Sequence, residues 1–150
     1  DVYKRQHYAY KLRWLEALRA EGARELAEDP QARVAFVGDF NVAPRDEDVW
    51  SMEFFEGKTH VTEPERAAFQ AVVDAGYADV VRPDHPGPGV YTYWDYQAMR
   101  FQKGEGMRID LQYARGITPT TARVDRDERK GKRASDHAPV IVDYTIDGEA

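Results

Sequence analysis

The chain has 150 residues, 42% of them hydrophobic, which is enough to bury a core, and it contains no run of about 18 apolar residues that could span a membrane as a helix. It has no cysteine, which excludes disulfides and thiolate zinc sites and leaves the redox compartment open. A net charge of −6 argues against a nucleic-acid partner until its distribution is read: residues 100–133 hold ten Lys and Arg against five Asp and Glu, a local +5.

In chain order, Tyr8 to Ala27 reads as an amphipathic helix with Leu12, Leu15, Leu18 and Leu26 at helical spacing. Val34-Ala35-Phe36-Val37 reads as a buried strand, and Gly38 lets the backbone turn so that Asp39 and Asn41, two apart, share a rim. Thr62 with Glu65 forms a capping box, Pro64 suits a first turn, and Phe69, Val72 and Val73 give the buried stripe of a helix ending near Gly76. Pro83 to Gly89 is a loop, and short strands are predicted at Tyr91 to Trp94, Arg108 to Ala114, Ala122 to Val124 and Pro139 to Thr145. Helices alternating with short strands suit an α/β sandwich of two packed sheets.

Three acidic turns stand out because each adjoins an apolar run: Val37-Gly38-Asp39-Phe40-Asn41, Met107-Arg108-Ile109-Asp110-Leu111 and Ser135-Asp136-His137-Ala138-Pro139. Alternation from Ile109 to Tyr113 buries Ile109, Leu111 and Tyr113 on one face and leaves Asp110 on the other. Asp110 is then free for chemistry, for orienting an imidazole, or for an ion pair with Arg108 or Arg115. Asp136 and His137 put a hard metal ligand beside a proton-transfer group at the mouth of a strand, although the pair can also cap a turn. Together the three turns suggest one metal-dependent hydrolytic site.

These residues resemble the endonuclease/exonuclease/phosphatase superfamily, and within it the exonuclease III type of abasic-site endonuclease, from about Tyr8 to Tyr144. The Gly-Asp-Phe-Asn and Ser-Asp-His turns are shared across the superfamily, including its lipid and inositol phosphodiesterases. The run Tyr91-Thr92-Tyr93-Trp94-Asp95-Tyr96, followed by Met107 to Leu111, resembles the segment that lines a pocket for a base-less sugar. Asp46 to Trp50 and Thr59 to Arg66 look like the actinobacterial version.

The resemblance implies a DNA repair nuclease that acts as a cytoplasmic monomer on double-stranded DNA, at abasic sites and 3′ ends. Asp39 would handle the proton of the attacking water or the leaving group. Asn41 and His137 would stabilise charge on phosphate oxygens, His137 being oriented by Asp110. Asp136 would help hold magnesium or manganese. Tyr93, Met107 and Ile109 would wall the abasic pocket with Trp94 beside it, and Gln97, Arg100 and Arg108 would contact substrate; Tyr93 and Trp94 can also be ordinary core aromatics. Residues 100–133 would contact phosphates or form a solvated loop of mixed charge.

The family pattern also includes an earlier strand with an Asn, a metal-binding Glu and a Tyr near a Pro-Asn-Gly turn, none of which occurs here. Residues 7–150 are therefore expected to be the C-terminal part of a single nuclease domain, inactive alone. Residues 1–6, Asp1-Val2-Tyr3-Lys4-Arg5-Gln6, look like a non-native scar from sequencing-library preparation and are set outside the fold. Two other functions fit the same turns: a lipid or inositol phosphodiesterase, and a non-catalytic fragment that binds DNA weakly.

Overall fold

In the computed structural model the leucine spacing near the start forms a longer helix than predicted, α1, spanning Val2–Glu28. Residues 2–146 are described; Asp1 and residues 147–150 lie outside them. Leu15 is wholly buried, and Leu18 and Leu26 pack beside it. The residues set aside as foreign, Val2 to Gln6, continue the helix with exposed side chains. Gly22 sits inside α1 because the Tyr77 ring lies against it: a Cβ there would come within 2.8 Å of that ring, whose hydroxyl donates to the Gly22 carbonyl at 2.9 Å.

Strand β1 (Val34–Asp39) follows, then a helical turn at Asp46–Asp48 and the short α2 (Met52–Phe55). Helix α3 (Glu63–Asp74) begins at the predicted capping box, with Thr62 and Glu65 bonding reciprocally. After β2 (Ala78–Asp79) and the predicted irregular loop come α4 (Arg100–Lys103), β3 (Asp110–Arg115), β4 (Thr118–Val124) and β5 (Val140–Thr145).

These strands form two antiparallel sheets, one ordered β1-β3-β2 and the other β4-β5. Period-two alternation decides what each face meets. Val34, Phe36, Leu111 and Tyr113 join Leu15 of α1 and Phe69 of α3 in the main core. Ala35 and Ala114 point the other way, toward Ala122, Val140 and Val142 of the second sheet. Gln112 bridges the sheets, donating to the Val140 carbonyl at 3.1 Å and accepting from the Tyr144 hydroxyl at 2.9 Å. Burying each large apolar side chain stabilises the packing by about 2 kcal/mol. The predicted mixed α/β architecture with two packed sheets is the one observed.

Tyr91 to Trp94, expected to be a strand, is instead an irregular connector in which only Tyr93 makes bridges, to Met107 on one side and His137 on the other. The connector is wedged between two segments and pairs with each for a residue or two. Arg108 and Ile109, expected in a strand, precede β3 for a related reason. The amides of Ile109 and Asp110 donate to the buried Thr92 hydroxyl oxygen at 3.1 and 3.0 Å, not to a neighbouring strand.

Beneath these segments lies a buried ion chain. Asp48, fully buried, accepts from Arg108 Nε at 2.7 Å and from Arg82, while Arg108 Nη2 reaches Asp79 at 2.7 Å. Tyr113 also donates to Asp79, at 3.2 Å.

Candidate active site

The antiparallel register of β1 and β3 makes Asp39 and Asp110 cross-strand partners at the sheet end. Asp39 lies next to Gly38, whose φ of 140° is a conformation that L side chains rarely adopt. Asn41, at φ 52°, turns back so that its amide donates to Asp39 Oδ1 at 2.8 Å, leaving Oδ2 free of that contact. The turn before β5 delivers the third group. His137 Nδ1 donates to Asp110 Oδ2 at 2.7 Å, and its Nε2 faces Asp39 Oδ2 and Asp136 Oδ1, each 3.9 Å away.

Thr92 and Tyr93 hold the two halves of this dyad in place. The Thr92 carbonyl accepts from Ala138 at 2.8 Å while the Thr92 hydroxyl caps the Asp110 amide, so one buried residue links the segments that carry Asp110 and His137. The Trp94 amide donates to the Asp136 carbonyl at 3.0 Å. Thr92→Val removes the acceptor of two buried N–H groups and is expected to lower stability by about 2 kcal/mol, measured by urea unfolding, with Thr92→Ser close to the parent.

Electrostatics separates the roles of the two acid–base groups. Burial alone would lower the His137 pKa, but the bond to Asp110 and the charges of Asp110, Asp39 and Asp136 outweigh it and hold the imidazole above its ordinary value. Asp39 is raised, chiefly by burial and further by Asp110, against the lowering pull of the Asn41 amide and His137. The imidazolium form is therefore favoured in the folded chain. Its stabilising contribution is complete below the unfolded value of about 6.5 and is lost as pH rises through the higher folded pKa. Urea unfolding of metal-free protein between about pH 5.5 and 8.5 should show that loss in the wild type, and a smaller one in His137→Gln.

Beside the dyad opens a cleft of about 650 Å³ lined by Gly38, Asp110, Gln112, Ser135 and His137. A second cavity of about 290 Å³ is lined by Tyr93, Met107, Gln97 and Arg100, as expected, together with Trp50, Phe54, Lys58 and His60. Tyr93 joins the two regions, its ring 5.1 Å from that of His137.

Other expected contacts do not reach the cavity. Ile109 is buried beneath it with Val49 and Phe55. Trp94, 2% exposed, packs edge-on against Phe101. Arg108 is corrected outright: at 1% exposure, held by Asp48 and Asp79, its guanidinium cannot touch substrate. The basic stretch is likewise less available than its charge suggests. Arg129 is buried against Phe101 and Tyr96, Arg126 lies over Phe101, and Arg100, Arg123 and Lys130 pair with Glu105, Asp125 and Asp127.

A model of the endonuclease/exonuclease/phosphatase family matches residues 4–137. The chain belongs to this family. Relatives include an exodeoxyribonuclease of Bacillus subtilis, 31% identical over 102 residues, covering 67% of this chain and 39% of the relative. Among solved structures, a 3′-5′ exonuclease from Neisseria meningitidis superposes with a TM-score of 0.83 at 34% identity, covering 91% of this chain and 54% of that one. An AP endonuclease from Archaeoglobus fulgidus does so with a TM-score of 0.79 at 32% identity, covering 93% and 55%. The chain thus spans roughly two-fifths of the Bacillus relative and just over half of each of these two structures.

The donor chemistry of the family site suits a hard divalent cation. Single ligand atoms of Asp39, Asp110 and His137 lie within 4.8 Å of one another, and Asp136 borders the same space. The His137–Asp110 bond uses only Nδ1 and Asp110 Oδ2, so the carboxylate oxygens of Asp39 and Asp136 that face Nε2 can meet an ion without breaking the dyad.

Several site residues were not picked out from the sequence. His60, at φ 83°, lines the cavity with its Nδ1 bonded to the Asn41 carbonyl at 2.9 Å, and burial lowers its pKa, keeping the ring neutral. Thr92 and Asp48 also escaped notice. Thr92 is marked in the sequence only as a polar residue inside an aromatic run, and Asp48, the last of three consecutive acids, is not marked out from its neighbours.

Proposed function

We propose that this chain serves a DNA repair nuclease of the exonuclease III type, which works as a cytoplasmic monomer on double-stranded DNA at abasic sites and 3′ ends. The observation that carries this reading is the 2.7 Å His137–Asp110 dyad, with Asp39 across from its Nε2 and an aromatic-walled cavity joined to it through Tyr93. Relatives and structural neighbours with exodeoxyribonuclease, exonuclease and AP endonuclease activities support it.

Asp110 holds the Nδ1 proton and stabilises the imidazolium, so His137 Nε2–H donates to a phosphate oxygen as charge builds there. The free Oδ2 of Asp39, on a carboxyl of raised pKa, accepts the proton of a water that attacks phosphorus; the new P–O bond forms as the bond to the leaving oxygen breaks, and that oxygen departs with the electron pair and takes a proton from solvent. A divalent cation, magnesium or manganese, held by Asp136 would polarise the phosphate. Tyr93 and Met107 form the apolar wall of the cavity, selecting a nucleotide that lacks its base by shape, while Gln97 and Arg100 supply its polar rim.

The test is cleavage of a duplex bearing one abasic site, with magnesium or with chelator. It uses this chain alone and this chain fused behind the unmatched remainder of the Bacillus relative. Metal-dependent cutting by either form supports the proposal. Hydrolysis of an inositol phosphodiester without DNA cleavage, or no hydrolysis by either form, overturns it.

A further inference from the structure

Outside the dyad, one partly buried charge ends on the catalytic turn. Lys11, on α1, spends all three ammonium donors inside the protein: on Glu65 Oε1 at 2.5 Å, Thr59 Oγ1 at 2.9 Å and the backbone carbonyl of Asn41 at 2.8 Å. Glu65, fully buried, accepts in addition from the Thr59 hydroxyl at 2.7 Å, the His60 amide at 3.2 Å, and the Thr62 amide and hydroxyl at 3.1 and 2.7 Å. That carboxylate fixes Lys11 as firmly as it caps α3. Burial alone would raise its pKa, but the bonds from Lys11, Thr62 and Thr59 prevail and keep it ionised.

The anchored ammonium meets Asn41 where the backbone needs support. Asn41 occupies the left-handed region, which L residues hold only when their surroundings impose it, although Asn tolerates it better than most. Its amide is tied to Asp39, and its carbonyl accepts two donors, Lys11 Nζ and His60 Nδ1. Asn41 is thus clamped on both sides, with α1 and α3 supplying the charged half of the clamp.

We infer that Lys11, anchored by Glu65, is a positioning residue that sets Asn41, and through the Asn41 amide the Asp39 carboxylate, for the reaction. The inference rests on the functional reading above. Lys11 touches no reacting atom, so its effect passes through Asn41.

The test is a double-mutant cycle in the cleavage-competent form, with Lys11→Met made in the wild type and in Asp39→Ala; Lys11→Gln replaces Met if that variant melts early. In the wild-type background kcat should fall about tenfold with KM little changed, whereas in Asp39→Ala, which lacks the carboxylate that the Asn41 amide holds, the same substitution should change kcat less than about twofold. Equal fold-losses in both backgrounds, or no loss in the wild type, overturn the inference alone. An Asp39→Ala enzyme of undiminished rate overturns the reading of the site and this inference with it. Hydrogen exchange adds a readout free of turnover: the Asn41 amide should exchange at least about tenfold faster in Lys11→Met while the β1 amides keep their protection. Unchanged exchange at Asn41 also overturns the inference.

Discussion

Asp39→Ala, made in the form that cleaves DNA, is expected to lower kcat by about 10²- to 10⁴-fold, the range for a positioned proton acceptor, and to leave the fold intact. The carboxylate sits at the open end of β1 with about a third of its side chain exposed, and its one hydrogen bond here is to the Asn41 amide two residues on. Removing it takes away the group facing His137 Nε2 without opening a cavity. His137→Ala should match it in size, because the imidazolium that Asp110 orients is lost as a donor to phosphate. Single-turnover rates on an abasic duplex check both, with circular dichroism as the control for folding. A variant that retains a near-normal rate does not carry the chemistry.

Asp48→Ala should produce the largest loss of stability, about 3–5 kcal/mol, because it removes one partner from a buried ion pair and leaves positive charge uncompensated. Its Oδ1 takes Arg108 Nε at 2.7 Å and Arg82, and its Oδ2 takes the Arg45 amide at 3.0 Å. Arg108 keeps Asp79, but the second charge on the chain, Arg82, loses its buried acid and keeps only the partly exposed Glu47, 3.5 Å from its Nε. Since the Arg108 amide donates to the Asp48 carbonyl at 2.8 Å, the damage lies next to Met107 of the cavity wall and two residues from Asp110. Urea unfolding measures the loss. The exposed pair Lys130 and Asp127 provides the contrast, and Lys130→Ala should leave the unfolding midpoint close to that of the parent.

The sequence by itself determined what local pattern can encode. The leucines of α1, the Thr62–Glu65 cap of α3 and the alternation from Ile109 to Tyr113 each follow from a short-range rule, and each appears in the structure as read. The acidic turns were legible for the same reason, since Gly38 and the apolar runs mark where strands end. The structure brings Asp39, Asp110 and His137 together, with the Asp110 carboxylate bonded to the imidazole. Only the tertiary structure decided which charges face substrate. Arg108 sits beside Asp110 in a segment that reads as pocket, yet Asp48, sixty residues earlier in the chain, draws it into the interior. No local period reports that pairing. Thr92 looked like a spacer in an aromatic run, and the supposed strand around it proved a connector, because its hydrogen bonds go to two distant segments and not to one neighbour. Glu65 read as half of a capping box, and its pairing with Lys11 appears only when α1 and α3 close on the Asn41 turn. Periodicity fixes which face of an element is apolar; the partners of its buried polar groups follow only from packing, which brings residues far apart in the chain within hydrogen-bond reach.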